Sequence, residues 1–270
     1  MRSKLMILLA TSAVIGLITP SAEAFQVKIN GSTVFLATHE GTSVGVSPTA
    51  SDPDTGTYNY MVQETSTVYS SDALYGNRSF DISGAARGQI GVNGLSTSIG
   101  DIVEVSGAIK NGGDQYFGIR FAGTGNYESH GGGQIGPGSV YFVGDPGGPW
   151  GGAWETANSA MVQFEGGSRT ETIRTGLATG EWHTYVMTHT VGGTTMTVNI
   201  DGTVTTESGF QPGADDAMSN EQDSITNSIW MNDPYNASGP GLFDAIPEPA
   251  SLALLGAGGL LLLSRRRKKA

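Results

Sequence analysis

The sequence predicts an all-β protein, an antiparallel two-sheet β-sandwich of the jelly-roll kind, and three observations predict it. Apolar and polar residues alternate: in "TMTVNID", Met196, Val198 and Ile200 fall on one face and Thr195, Thr197 and Asn199 on the other, the period of a half-buried strand. "TYNYMV" repeats the pattern with Tyr58, Tyr60 and Val62, and "QYFGIRFA" repeats it with Phe117, Ile119 and Phe121. Turn residues separate such runs, including the hairpin signals Asn30-Gly31 and Gly192-Gly193. No stretch between the two ends sustains an apolar stripe of helical period. Further strands are expected at "FQVKI", "TVFLA", "DIVEVSGAI", "SVYFV", "AMVQF", "WHTYVMTHT" and "NSIWM", roughly ten in all, a number that suits two packed sheets. No internal repeat supports a propeller or solenoid.

The two ends depart from this pattern. "MRSKLMILLATSAVIGLITPSAEA" has the charged start (Arg2, Lys4), apolar helix (Leu5 to Ile18) and small-residue step (Ala22-Glu23-Ala24) of a secretory signal peptide. The expected division is therefore a signal peptide over 1–24, delivered to the Sec export machinery, a β-sandwich over 25–244, and a separate C-terminal segment over 246–270. The mature chain is expected to begin at Phe25.

Without its ends the chain is strongly acidic. Residues 25–246 hold seven Lys or Arg against 23 Asp or Glu, a net charge of −16. A surface of that sign repels phosphate backbones and anionic lipid, which argues against nucleic-acid binding and against peripheral membrane binding by the body. The absence of cysteine from the 270 residues excludes disulfides, thiolate metal sites and thiol nucleophiles. Packing has to carry the stability, and about 220 residues suffice for one core.

"GEWHTYVMTHTVGGTTMTVNIDGTV", Gly180 to Val204, resembles the laminin-G or concanavalin-A-like lectin/glucanase sandwich. The resemblance implies that the "W-H-x-Y" and "x-V-x-I-D-G" strands lie side by side, with Trp182 in the core beside Met196, Val198 and Ile200, and Asp201-Gly202 at a hairpin. The fold hosts lectins, hydrolases and inert modules, so function has to come from the site. Glucanases of this kind carry Glu-x-Asp-x-x-Glu on one strand, because retaining hydrolysis needs two carboxyl groups about 5 Å apart. That triplet does not occur here. Asp101 and Glu104 are three apart and so on opposite strand faces, and Glu171 stands alone in "RTETIR". No catalytic residue is assigned.

Other motifs yield less. "GGGQIG" (Gly131 to Gly136) matches a dinucleotide-binding string, but Pro137-Gly138 follows where a helix has to begin. Sixteen glycines between Gly107 and Gly152 make a chance match ordinary. His183 and His189 share a strand face without a third ligand, which reads as packing or surface chemistry. Asp52, Asp54, Asp215, Asp216, Glu221 and Asp223 offer oxygen ligands that would suit Ca2+, but with no defined spacing; solvated acidic loops are the alternative, and no cofactor is assigned. The candidate ligand-binding residues are Trp150 and Trp154 in "GDPGGPWGGAWETANS", a Gly- and Pro-rich loop on which exposed rings would stack against sugar. The alternative is a loop that folds back and buries both rings.

The C-terminal segment, "IPEPASLALLGAGGLLLLSRRRKKA", places 14 apolar or small residues (Ala250 to Leu263) before five positive charges. As a helix the run spans about 21 Å, short of a hydrocarbon core of about 30 Å. Arg265, Arg266 and Arg267 would reach cytoplasmic headgroups and leave the body outside. Pro247-Glu248-Pro249, a short membrane helix and a terminal Arg cluster together resemble the bacterial PEP-CTERM protein-sorting signal. The resemblance implies recognition by an exosortase, a membrane-embedded transpeptidase-like enzyme, and release or re-attachment of the body at the cell surface. It also implies association with exopolysaccharide.

Together these readings describe an exported, inner-membrane-anchored precursor of a non-catalytic surface or matrix protein that binds glycan or polysaccharide. A secreted glycoside hydrolase of the same fold and a purely structural matrix protein are the alternatives.

Overall fold

The structure, a computed structural model, describes residues 25–37, 43, 53, 55–56, 60–63, 68–74, 77–81, 88–92, 94–111, 117–123, 138–144, 158–164, 170–212, 226–233 and 241–244. All of them belong to one compact unit, Glu23–Ile246. The expected signal and membrane helices lie outside the described residues, among which no helix is long and apolar enough to cross a membrane.

Among the described residues, sixteen strands form two antiparallel sheets. The first sheet contains β1 (Phe25–Ile29), β2 (Ser32–Ala37), β4 (Val68–Ser70), β5 (Ser79–Asp81), β7 (Ile102–Asn111), β12 (Trp182–Thr190), β13 (Thr195–Ile200), β14 (Thr203–Ser208) and β16 (Gly241–Asp244). Its order is β14-β13-β12-β7-β16-β5-β4, with β1 also paired to β7 and β2 to β1. The second contains β3 (Tyr60–Gln63), β6 (Gly88–Val92), β8 (Phe117–Ala122), β9 (Ser139–Val143), β10 (Ser159–Gln163), β11 (Thr170–Thr175) and β15 (Ser228–Asp233), in the order β11-β10-β9-β8-β15-β6-β3.

The expected turns sit where the chemistry requires them. Asn30 and Gly31 have φ of 51° and 78° in the β1–β2 hairpin, and Asp201 and Gly202 have 49° and 81° in the β13–β14 hairpin. Two successive positive φ values match the twist of a two-residue hairpin, which is why Asn, Asp and Gly occupy these places. Gly192, at φ 78°, opens the β12–β13 turn, closed by a bond from Gly193 N to Thr190 O of 2.9 Å.

The alternation read from the sequence becomes the core. Val103, Val105, Met187, Met196, Val198 and Ile200 from the first sheet meet Ile119, Phe121, Val140, Phe142, Ala160, Val162 and Ile229 from the second, in one cluster. Phe121 stands edge-on to Phe210 at 5.6 Å, and Phe142 meets Tyr185 across the sheets at 6.4 Å. Strand β9 is buried along its whole length, because Tyr141 and Val143 pack with Met161 on the face turned away from the main core. A Cβ on Gly118, opposite Tyr141, would stand 2.3 Å from Val140 O and 2.6 Å from Tyr141 Cα, so only glycine lets the strands approach there.

Trp182 is a correction. Strand β12 buries His183, Tyr185, Met187 and His189, leaving Trp182, Thr184, Val186 and Thr188 half-buried on the outer face. Trp182 and Tyr185 are three apart and so cannot share a strand face, and the pairing of Met187 with Val105 sets which face turns inward. Met196, Val198 and Ile200 face inward as expected.

His189 is wholly enclosed, 5.1 Å from Phe210 and 6.3 Å from Phe121 between ring centroids. Its Nδ1–H donates to Thr195 O at 3.2 Å, and its Nε2 meets no partner among the described residues. Burial holds its pKa below the ordinary 6.5, against the opposing pull of the Thr195 carbonyl. The folded protein thus keeps this ring neutral where the unfolded chain takes up a proton.

Two outcomes follow for stability. In urea denaturation, Phe121→Ala is expected to cost about 3 to 5 kcal/mol, and Trp182→Ala less than that, because its half-buried ring lies outside the main core cluster. The stability contributed by neutral His189 is complete above pH 6.5 and declines as pH falls below it. His189→Gln is therefore expected to flatten the fall in melting temperature as pH drops below 6.5.

Candidate functional site

Strands β9, β11, β13 and β7 all finish at one end of the sandwich, and β10, β12 and β14 begin there. The segment 145–157, which carries Trp150 and Trp154, connects the end of β9 to the start of β10 in sequence. Residues 145–157 lie outside the described residues, and so do both tryptophans; the roots of the loop are described. Asn158 N donates to Gly144 O at 3.3 Å, closing the neck. Asn158 takes φ of 53°, its carbonyl accepts from Leu177 N at 2.8 Å, and its Oδ1 accepts from Thr179 Oγ1 at 2.8 Å. Asparagine suits this place because its short amide tolerates positive φ while tying the neighbouring turn.

Beside that root lies a lock built from the two quoted strand motifs. Asp201 Oδ2 accepts from His183 Nδ1–H at 2.7 Å, while its Oδ1 accepts from Thr184 N at 2.8 Å and from Thr184 Oγ1 at 3.1 Å. Asp201 N returns a bond to Thr184 O at 3.1 Å. Because a carboxylate oxygen accepts, the imidazole has to carry its hydrogen on Nδ1. His183 Nε2 is 3.4 Å from Ala178 O, a distance at which little attraction is left. One carboxylate thereby fixes the start of β12 to the β13–β14 turn, which gives the His and the Asp of the two motifs a structural purpose.

On the outer face at the same end, Asp72 reaches two neighbours. Its Oδ2 accepts from Lys110 Nζ at 2.6 Å, and its Oδ1 accepts from Trp182 Nε1–H at 3.3 Å. Lys110 and Trp182 are register partners on β7 and β12, so an indole and an ammonium stand side by side under one carboxylate. The carboxylate is 46% exposed and the lysine side chain 19%. This half-buried aromatic, with its N–H bonded to Asp72, is the site feature that the sequence reading missed. The signal was present in the spacing of Trp182 from Tyr185.

At the opposite end, Asp101 Oδ1 accepts from Asn30 Nδ2 at 2.7 Å and its Oδ2 from Ser98 N at 2.7 Å. The Asn30 amide first, and the Ser98 N–H second, hold the Asp101 pKa below the ordinary 3.8. Glu104, on the outer face of β7, pairs with Lys28 at 3.5 Å. Asp101 and Glu104 do not converge on a common point, and Glu171 stands on the edge strand β11. Burial pushes the Tyr141 and Tyr185 hydroxyls well above their usual range, which keeps both neutral. Among the described residues no group of three or more His, Asp or Glu could hold a metal ion. Asp52, Asp54, Asp215, Asp216, Glu221 and Asp223, the Gly131–Gly136 string, Ala22 and Ala24, and Pro247, Glu248, Pro249, Arg265, Arg266 and Arg267 all lie outside the described residues.

Residues 245–268 match the family model of the PEP-CTERM protein-sorting motif. The protein therefore carries a C-terminal sorting signal of exported proteins, which acts as a membrane anchor before processing. No curated protein matches the chain in sequence. Among solved structures, similar ones include lectin UEA-II complexed with galactose, at 12% identity and a TM-score of 0.38 over 65% of this chain and 89% of that one. Lectin II from Ulex europaeus is similar at 11% identity and a TM-score of 0.38 over 68% and 92%. Peanut lectin with a 9-mer peptide is similar at 12% identity and a TM-score of 0.32 over 65% and 87%.

If the Asp201 lock is structural, Asp201→Ala is expected to cost about 1.5 to 3 kcal/mol, the range for bonds to a charged group. His183→Ala in the Asp201→Ala background is expected to add less than it does alone, and a double-mutant cycle by urea denaturation measures this coupling.

Proposed function

We propose that this protein is an exported, non-catalytic surface or matrix protein that binds neutral glycan through Trp150 and Trp154, with Trp182 contributing. On this reading its leader is removed after Ala24, and an exosortase cuts the precursor near Pro247-Glu248-Pro249. The observation that supports the binding site is the shared location: Gly144 and Asn158, the described residues flanking the segment with Trp150 and Trp154, lie at the end where Trp182 stands half-buried on the outer face. Indole rings stack on the apolar faces of sugars, and polar neighbours such as Asp72 and Lys110 supply hydrogen bonds to sugar hydroxyls at the margin.

The non-catalytic reading is supported by what the carboxylates already do. Asp72 holds Lys110 and Trp182, Asp101 holds Asn30 and Ser98, Glu104 holds Lys28, and Asp201 holds His183 and Thr184. Glycoside hydrolysis needs one carboxyl group free to donate a proton and another free to attack or to activate water.

The expected outcome is retention of the exported protein on columns of immobilised neutral polysaccharide, undiminished in high salt because stacking releases no counterions. The Trp150→Ala, Trp154→Ala double variant is expected to lose retention while melting within a few degrees of the parent, and Trp182→Ala to weaken it. Equal retention by parent and double variant rejects the site. Intact-mass analysis of the same material is expected to show a chain beginning at Phe25 and lacking Arg265 to Lys269.

A further inference from the structure

A strand at the edge of a sheet exposes a row of unpaired N–H and C=O groups, and folded proteins blunt such edges with short strands, bulges, charge or a covering segment. Among the described residues, β2, β4 and β14 lie at the edges of the first sheet and β3 and β11 at those of the second. Strands β3 and β4 are only four and three residues long. Strand β2 is bulged at Val34 and bridged from Leu36 to Thr55. Strand β11 carries Glu171 and Arg174 and is bulged at Ile173, whose carbonyl accepts from Thr205 Oγ1 at 3.2 Å. Strand β14 has none of these devices: its six residues pair with β13 in unbroken register, without proline and with the single charge of Glu207.

The turn before β14 decides which of its backbone groups face the open side. Ile200 and Thr203 close a two-residue turn and so form the first hydrogen-bonded pair, and alternation makes Thr205 and Glu207 the next two. The bond from Gly209 N to Thr194 O, at 2.7 Å, continues the same alternation. The N–H and C=O groups of Val204, Thr206 and Ser208 therefore point away from β13. Their side chains lie on the outer face and are exposed, Val204 to 59%. The outer rows that end on them, Val186–Asn199–Val204 and Thr188–Thr197–Thr206, hold no charge, in a body whose residues 25–246 carry a net charge of −16.

We propose that β14 pairs with β14 of a second copy of this chain, antiparallel about a two-fold axis through Thr206, so that the first sheets of two copies become one. In this register Thr206 faces Thr206 of the other copy and Val204 faces Ser208, and each facing pair exchanges two backbone hydrogen bonds. Glu207 lies on the other face of the strand, opposite Thr205 and not opposite its own counterpart. A second copy is the fitting occupant because two strongly acidic bodies repel one another, and the uncharged rows let them approach with least opposition. The contact is self-complementary and closes at two copies. Six residues a side make a small interface, so the pairing is weak and depends on concentration. Trp182 lies near the Thr203 end of β14, because Tyr185 is opposite Ile200 and Ile200 opposite Thr203. Antiparallel pairing thus sets the two copies of Trp182 at opposite ends of the dimer, where two glycan sites bridge separate chains. That last consequence rests on the reading given under Proposed function, whereas the pairing does not.

The test is sedimentation of the exported, processed protein over a range of concentrations. Its weight-average mass is expected to climb towards twice the monomer value, and to climb further in high salt, which screens the repulsion between the copies. Thr206→Pro removes an outward N–H and spares the pairing with β13, so it is expected to hold the protein at the monomer mass while it melts within a few degrees of the parent. Thr206→Glu sets two carboxylates face to face without altering the backbone and is expected to do the same, whereas Thr206→Val keeps the dimer. Hydrogen exchange at the Val204, Thr206 and Ser208 amides is expected to slow as the protein is concentrated. A monomer at every concentration overturns the pairing. A dimer that survives Thr206→Glu, or one in which these three amides exchange as fast as in dilute protein, overturns it too. Retention on polysaccharide is read separately, and its loss overturns the glycan reading without touching the dimer.

Discussion

Strand β7 is the constraint on which the rest of the body depends. It is the only strand of the described residues that has to satisfy three partners: β12 along one edge, and β1 and β16 end to end along the other. Any slip of β7 by one residue would turn Val103, Val105 and Ile109 out of the core and bring Glu104 and Lys110 into it. The same slip would also misplace both ends of the body at once. Thus the register of one central strand sets the core, the positions of the two chain ends, and the outer-face row in which Lys110 meets Trp182.

The polar chemistry follows from that register. Asp201, Asp101, Asp72 and Asp244 each sit at the end of a strand or in a turn, and each accepts bonds from a segment distant in sequence. Carboxylates are well suited to such places, because one acid can satisfy several loose N–H groups at a turn. In a chain without disulfides these acids perform the cross-linking of loops that cysteines perform in many small exported domains. The strong acidity of the body is accordingly partly structural.

The division of labour between faces bears on recognition. The inner face of β12 is filled with His183, Tyr185, Met187 and His189, so polar rings are placed where an aliphatic core would be simpler. His183 is used as a lock and His189 is packed between phenylalanines as a neutral ring. That leaves the indole of Trp182 outside, anchored through its N–H and open on part of its surface. On the proposed reading, an aromatic held in this way has lost rotational freedom before a ligand arrives, which lowers the entropy cost of stacking.

The sequence by itself determined the all-β class, the strands around Met196, Val198 and Ile200, the Asn30-Gly31 and Asp201-Gly202 turns, and the sorting segment. These are local properties: a period of two, the tolerance of Asn, Asp and Gly for positive φ, and a short ordered motif. Short strands such as Val68–Ser70, Ser79–Asp81 and Gly241–Asp244 escaped notice because three or four residues carry too little period to stand out from loop composition. Only the tertiary structure decided which face of β12 turns inward, because His183 and His189 look polar in a sequence and become core residues once Asp201 and the phenylalanines enclose them. It alone brought Asp72 to Trp182, 110 positions apart, and Phe25 to the strand step beside Asp244. Those meetings depend on strand order, and strand order is settled by how whole faces bury against one another, a long-range property with no imprint on any short stretch of chain.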